Sequence, residues 1–202
     1  MKNCTACTDT NFCTAGRITE KCAAGYICNS EADSPTPTNI ALKSTGKAYP
    51  CPAGSWCGVG AKDPEPCPIG TFTKEAGGRQ EADCSICEIG YYCQEDSKIP
   101  RECPAGYFCP IGSFEPEPCP IGSYNPSLKK GSITDCLPCK GGYTCKEKAI
   151  GNVGQQGNKF KCPLGHYCPE GYNTDPIPCI DGSYYDSLTT NNNGTQFVDV
   201  YV

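Results

Sequence analysis

Six stretches of this chain read Cys-x-x-Gly-x-x-Cys, beginning at Cys22, Cys51, Cys87, Cys103, Cys139 and Cys162. Cys7 to Cys13 keeps the spacing but has Thr10 where the others have glycine. Glycine supplies a turn conformation that a β-carbon opposes, so each stretch reads as a turn between two cysteines. The 202 residues hold 20 cysteines but only 29 Ile, Leu, Val and Phe, about 14 %. A chain that poor in large apolar side chains stays disordered unless covalent links organise it. Parallel sheets and helix bundles need long apolar runs or stripes, which are absent here. The expected fold class is therefore a small disulfide-rich repeat with almost no helix.

Cysteine density also points to a compartment. Twenty thiols suit an oxidising space, so the expected location is extracellular or at the cell surface. The net charge of −5 gives no electrostatic case for nucleic acid. No apolar stretch is long enough to span a membrane, and Met1-Lys2-Asn3-Cys4-Thr5 does not read as a signal sequence. The chain is expected to be an excerpt of a longer protein.

The motifs sit inside a longer repeat. Cys84, Cys87 and Cys93 recur 52 residues later as Cys136, Cys139 and Cys145. Cys103, Cys109 and Cys119 recur as Cys162, Cys168 and Cys179, after a seven-residue insertion read into Gly151 to Gly157. Pro64-Glu65-Pro66-Cys67-Pro68-Ile69-Gly70 returns as Pro116-Glu117-Pro118-Cys119-Pro120-Ile121-Gly122. A second, longer motif runs Cys-x-x-Gly-x-aromatic and then 17 residues from Cys67 to Cys84 and from Cys119 to Cys136. The aromatic residues that recur at one phase are expected to pack on neighbouring disulfides and replace a conventional core. The boundaries that follow are an enlarged first repeat over 1–66 with an insert at 29–50, a second over 67–118, and a third over 119–178. A partial repeat and a terminal strand occupy 179–202.

The stretches over 67–93 and 119–145, Cys-Pro-Ile-Gly-Thr/Ser-Phe/Tyr followed by a CxxC, resemble the ephrin-receptor-like cysteine-rich repeat. More broadly they are similar to tumour-necrosis-factor-receptor-type modules, as in large surface proteins of single-celled eukaryotes. The resemblance implies an elongated rod of short β-hairpins and irregular loops. It also implies disulfides Cys67–Cys84 and Cys119–Cys136, each worth roughly 3 kcal/mol from loop entropy. For the seven short motifs two schemes stay open. Each closes on itself, or neighbours cross-pair (Cys87–Cys103 with Cys93–Cys109), and an odd number forces at least one local closure. A third scheme would create three CxxC bridges, which are usually reactive, and ranks last. The first two leave Cys4 and Cys179 without partners, so these are candidates for inter-repeat or inter-chain bonds.

Chemistry-bearing groups are sparse. The CxxC pairs lack the spacing of a zinc ribbon. The single histidine, His166, stands where other copies have Tyr or Ser, and no catalytic set can be built around it. No cofactor, metal or enzymatic activity is expected. Asn193-Gly194-Thr195 is a glycosylation sequon, and Asn3-Cys4-Thr5 a weaker one. Residues 197–202 alternate, with Phe197 and Tyr201 on one side and Val198, Val200 and Val202 on the other. That pattern predicts a strand able to add to a neighbour. The expected function is structural: a building block of an extracellular coat, fibre or ciliary or flagellar appendage, joined head to tail through its ends to copies of itself or further repeats. The alternative is a receptor or adhesion ectodomain binding a protein ligand.

If the cysteines do the folding, reductant must undo it, because ordering costs about 1–2 kcal/mol per residue. Protease resistance and the circular dichroism spectrum are expected to collapse on reduction. A reduced, metal-free chain that kept native protease resistance would overturn the scaffold reading.

Overall fold

The computed structural model of the chain describes residues 10–14, 17–28, 32, 34–37, 48–154, 160–171 and 175–179. Among the described residues, sixteen strands of two to five residues pair two by two into eight antiparallel two-stranded sheets. The only helical elements among the described residues are the 3-10 turns Glu81–Asp83 and Ile133–Asp135. The fold is a disulfide-rich repeat of small hairpins, nearly free of helix.

One rule builds the hairpins. The two residues after the motif glycine form a strand, and they pair with the residues just before the next motif's first cysteine. Ser55–Trp56 thus pairs with Glu65–Pro66, and Tyr107–Phe108 with Glu117–Pro118. The long motif obeys the same rule: Thr71–Phe72 pairs with Ser85–Ile86, and Ser123–Tyr124 with Leu137–Pro138.

The chain divides into two compact units, each joined internally by the same hydrogen bonds. The first is Met1–Glu88, Tyr92–Arg101 and Ile111–Glu115; the second is Ile89–Tyr91, Glu102–Pro110 and Pro116–Val202. In the first, the N–H groups of Thr10, Gly25, Gly54 and Gly70 donate to the carbonyls of Cys28, Cys57, Thr73 and Cys93, at 2.7–2.9 Å. In return, the N–H groups of Cys22, Cys51, Cys67 and Cys87 donate to the carbonyls of Thr10, Gly25, Gly54 and Gly70. In the second unit, Gly90, Gly106, Gly122 and Gly142 donate to Cys109, Asn125, Cys145 and Cys168, at 2.7–2.9 Å. Cys103, Cys119, Cys139, Cys162 and Cys179 donate back to Gly90, Gly106, Gly122, Gly142 and Gly165. Each central residue from Thr10 to Gly142 is thus clasped from both sides by the motif that follows it. Each such bond contributes about 0.5–1.5 kcal/mol net.

The core is made largely of sulfur. Four clusters of buried residues each include cysteines. The residue before a motif's sixth position packs on the next motif's disulfide. Phe12 lies against Cys22 and Cys28, Ile27 against Cys51 and Cys57, and Phe108 against Cys119 and Cys136. Tyr124 packs on the cluster of Cys139 and Cys145, where Ile150, Val153 and Phe160 add the largest aliphatic and aromatic patch. Aromatic packing on disulfides is therefore real, and at Ile27 an aliphatic side chain does the same work.

The motif glycines face two demands, which Gly106 and Gly165 separate. Gly106 has φ +88°, and a β-carbon there would collide with the carbonyl of Ala149. Gly165 has φ +75° and, among the described residues, nothing within 4 Å of a β-carbon. Gly165→Ala is expected to lose only the conformational term, about 1–2 kcal/mol. Gly106→Ala adds a backbone collision and is expected to lose more, about 3 kcal/mol or above. Thr10 adopts φ +79° despite its branched side chain, so Thr10→Gly is expected to stabilise by about 1 kcal/mol. Denaturant unfolding of the oxidised proteins checks the order. Equal losses for the two alanine variants would show that the close approach is not a constraint.

Candidate functional site

The cysteines are the groups with most chemical potential, and the structure commits nearly all of those it describes. Six short motifs close on themselves: Cys22–Cys28, Cys51–Cys57, Cys87–Cys93, Cys103–Cys109, Cys139–Cys145 and Cys162–Cys168. The 17-residue loops are closed by Cys67–Cys84 and Cys119–Cys136. Cys13 is also disulfide-bonded. Local closure is thus the arrangement of these six short motifs, not cross-pairing, and the clasp between motifs is made by backbone groups. The CxxC cysteines Cys84 and Cys87 belong to different disulfides, as do Cys136 and Cys139. Cys179 is the one free cysteine among the described residues and is half-buried. Cys4, Asn3, Asn193, Phe197, Val198, Val200, Tyr201 and Val202 lie outside the described residues.

Two residues that spacing alone could have singled out are Thr73 and Asn125. Each stands six residues after a long motif's first cysteine, where the short motifs place their second. Both are buried, and their carbonyls accept the same bond as that second cysteine does. Thr73 Oγ1 also accepts from the Gly54 N–H at 2.8 Å. The Asn125 side-chain amide donates to the Tyr107 carbonyl, and its oxygen accepts from Ser127 N–H. A polar side chain fills the sulfur position, and the displaced cysteine returns eleven residues later.

That return is made by a capped 3-10 turn. Ser132 caps Ile133–Asp135, and the Asp135 carboxylate accepts from the N–H groups of Ser132 and Gly131 and from Lys130 Nζ. Desolvation pushes the Asp135 carboxyl up, but these donors outweigh it, so it titrates below its ordinary value. In the second repeat Asp83 does a similar task, accepting from the Arg79 N–H at 2.7 Å.

A third cluster surrounds Lys129. It has φ +58°, at a position whose equivalents Gly60, Gly77 and Gly112 are glycine. Its Nζ lies 2.8 Å from Glu102 Oε1 and 5.3 Å from the centre of the Tyr91 ring. The hydrogen bonds to Glu102 and then Tyr91 raise the ammonium's pKa. Those contacts offset the left-handed backbone.

Among the described residues no group of three His, Cys, Asp or Glu is placed to hold a metal ion. His166 sits on a strand, its Nδ1 3.1 Å from the Leu164 carbonyl. No helix among the described residues is long and apolar enough to cross a membrane. What the surface does offer is apolar. Val59, Ile69, Ile86, Ile99, Ile111 and Phe114 of the first unit are exposed, as are Ile89, Ile121, Leu128, Ile133, Leu137 and Leu164 of the second. No protein-family model matches the chain.

If Thr73 truly occupies a sulfur position, Thr73→Cys should compete with Cys84 for Cys67. Peptide mapping under non-reducing conditions is expected to find a bond from residue 67 to residue 73 and an alkylatable Cys84. Exclusive retention of Cys67–Cys84, with the new thiol free, would show that the two positions are not equivalent. Asp135 sets a second expectation. Its depressed pKa contributes stability that is complete above its unfolded value of about 3.9. That contribution is lost as pH falls through the folded value. Amide signals of residues 131–135 are expected to hold to about pH 4 and broaden below. Asp135→Asn should show the broadened state at every pH.

Proposed function

We propose that this chain is a non-enzymatic structural protein outside the cell, a building block of a surface coat, fibre or ciliary or flagellar appendage. The observation that carries the reading is the reciprocal clasp between successive motifs. It uses backbone groups and disulfides, repeats one rule throughout each unit, and demands no particular side chain on the surface. Such a scaffold extends by adding motifs, with stability summed over neighbouring junctions. Its disulfide density suits an oxidising compartment. The hairpins and the Cys-Pro-Ile-Gly stretches support kinship with ephrin-receptor-like modules. Glycans at Asn193, and at Asn3, fit the same setting. Copies of the chain, or further repeats of a longer one, join through the ends, with Cys4, Cys179 and residues 197–202 as the candidate contacts. The exposed aliphatic residues favour a second reading, a receptor or adhesion ectodomain that covers them with a protein ligand.

Sedimentation and negative-stain electron microscopy of the purified oxidised chain separate the two. A structural protein is expected to form concentration-dependent, end-joined assemblies without any other component. A strictly monomeric chain that binds a protein ligand at one-to-one stoichiometry would move the receptor reading ahead.

A further inference from the structure

The second and third repeats share one architecture but carry opposite charge. Residues 67–118 hold nine Asp and Glu against four Lys and Arg, whereas residues 119–178 hold four against seven. The reversal falls on equivalent surface positions. Glu88 follows the first cysteine of the Cys87–Cys93 motif, and Lys140 follows the first cysteine of the Cys139–Cys145 motif. Glu95 and Lys148 each immediately precede the left-handed residue after their motif, Asp96 at φ +59° and Ala149 at φ +59°. All four side chains are exposed, and none makes an ion pair within the described residues. The position of Ile86, which is 55 % exposed and pairs with Thr71, is taken in the third repeat by Pro138, which pairs with Ser123.

Two motifs of the same construction, reversed in charge at equivalent exposed positions, are complementary to one another. We propose that a second copy of this chain docks the surface of its Cys139–Cys145 motif on the surface of the Cys87–Cys93 motif of the first. Lys140 and Lys148 meet Glu88 and Glu95. A partner with opposite charges at the equivalent positions is another copy of the same repeat, since both sets are laid out by one motif. The contact uses different surfaces on the two molecules, so its repetition produces a ring or an open filament. The inference rests on the assembly reading above and adds to the contacts through the ends a second contact between motifs inside the chain.

Exposed ion pairs are individually weak, so the docking is salt-sensitive, with screening tightening from about 10 Å at 0.1 M to about 3 Å at 1 M. The test uses the whole oxidised chain and two double variants, Glu88→Lys with Glu95→Lys, and Lys140→Glu with Lys148→Glu. All four positions are exposed, and intact disulfides by mass spectrometry verify folding. Sedimentation velocity at low salt is expected to show association of the unmodified chain that weakens at least about tenfold at high salt. Each double variant alone should associate at least about tenfold more weakly than the unmodified chain. Their equimolar mixture should recover association, because the acidic face of one then meets the basic face of the other. If both variants associate as well as the unmodified chain, this docking is wrong while assembly stands. If the unmodified chain remains monomeric at every concentration and salt, the docking and the assembly reading fall together. Variants that lose association and regain none on mixing would overturn the pairing of these two faces.

Discussion

The structure depends on the central residue of each motif, whose N–H and C=O are both taken by the motif that follows. Gly106 donates to Asn125 and accepts from Cys119, and Gly54 stands in the same relation to Thr73 and Cys67. Glycine suits this use because it takes the left-handed conformation that turns the peptide toward its neighbour without strain, while Thr10 is clasped in the same way at φ +79°. The disulfide then holds the turn closed. A six-residue loop is worth about 2 kcal/mol from chain entropy, enough with two hydrogen bonds to order a short turn that no hydrophobic core supports.

Sulfur takes the interior that aliphatic residues take elsewhere. With the disulfides buried and one aromatic or isoleucine packed on each of several, little space is left for larger side chains. The outcome is an inversion: Ile69, Ile89, Ile121 and Leu164, each just before a motif glycine, stand in solvent.

Departures from the rule show what it tolerates. Lys129 and Ala149 take left-handed backbones where Gly60 and Gly112 sit elsewhere. Lys129 is held by Glu102 and Tyr91. Thr73 and Asn125 replace a half-cystine with a hydrogen-bonding side chain, and the turns before Cys84 and Cys136 bring the bond partner back. The backbone clasp is unchanged at all of these positions. It is the invariant, and the disulfide pattern varies around it.

The spacing of cysteine and glycine by itself determined that the chain would be a helix-poor array of turns and short strands. Its reason is local: a glycine between two cysteines six residues apart admits little else. The phase of the aromatic residues likewise pointed to packing on disulfides, as Phe108 and Tyr124 do. Spacing did not choose between local closure and cross-pairing, since either satisfies the same intervals. Only the tertiary structure decided that, because the junction between motifs is backbone to backbone and leaves each short disulfide to its own turn. The six-residue spacing could have marked Thr73 and Asn125 as standing in sulfur positions, but not that their side chains would be buried and hydrogen-bonded there. Nor could hydrophobicity tell that Ile69, Ile89 and Ile121 face outward while Ile27 and Ile150 are buried, a division that belongs to the packed molecule.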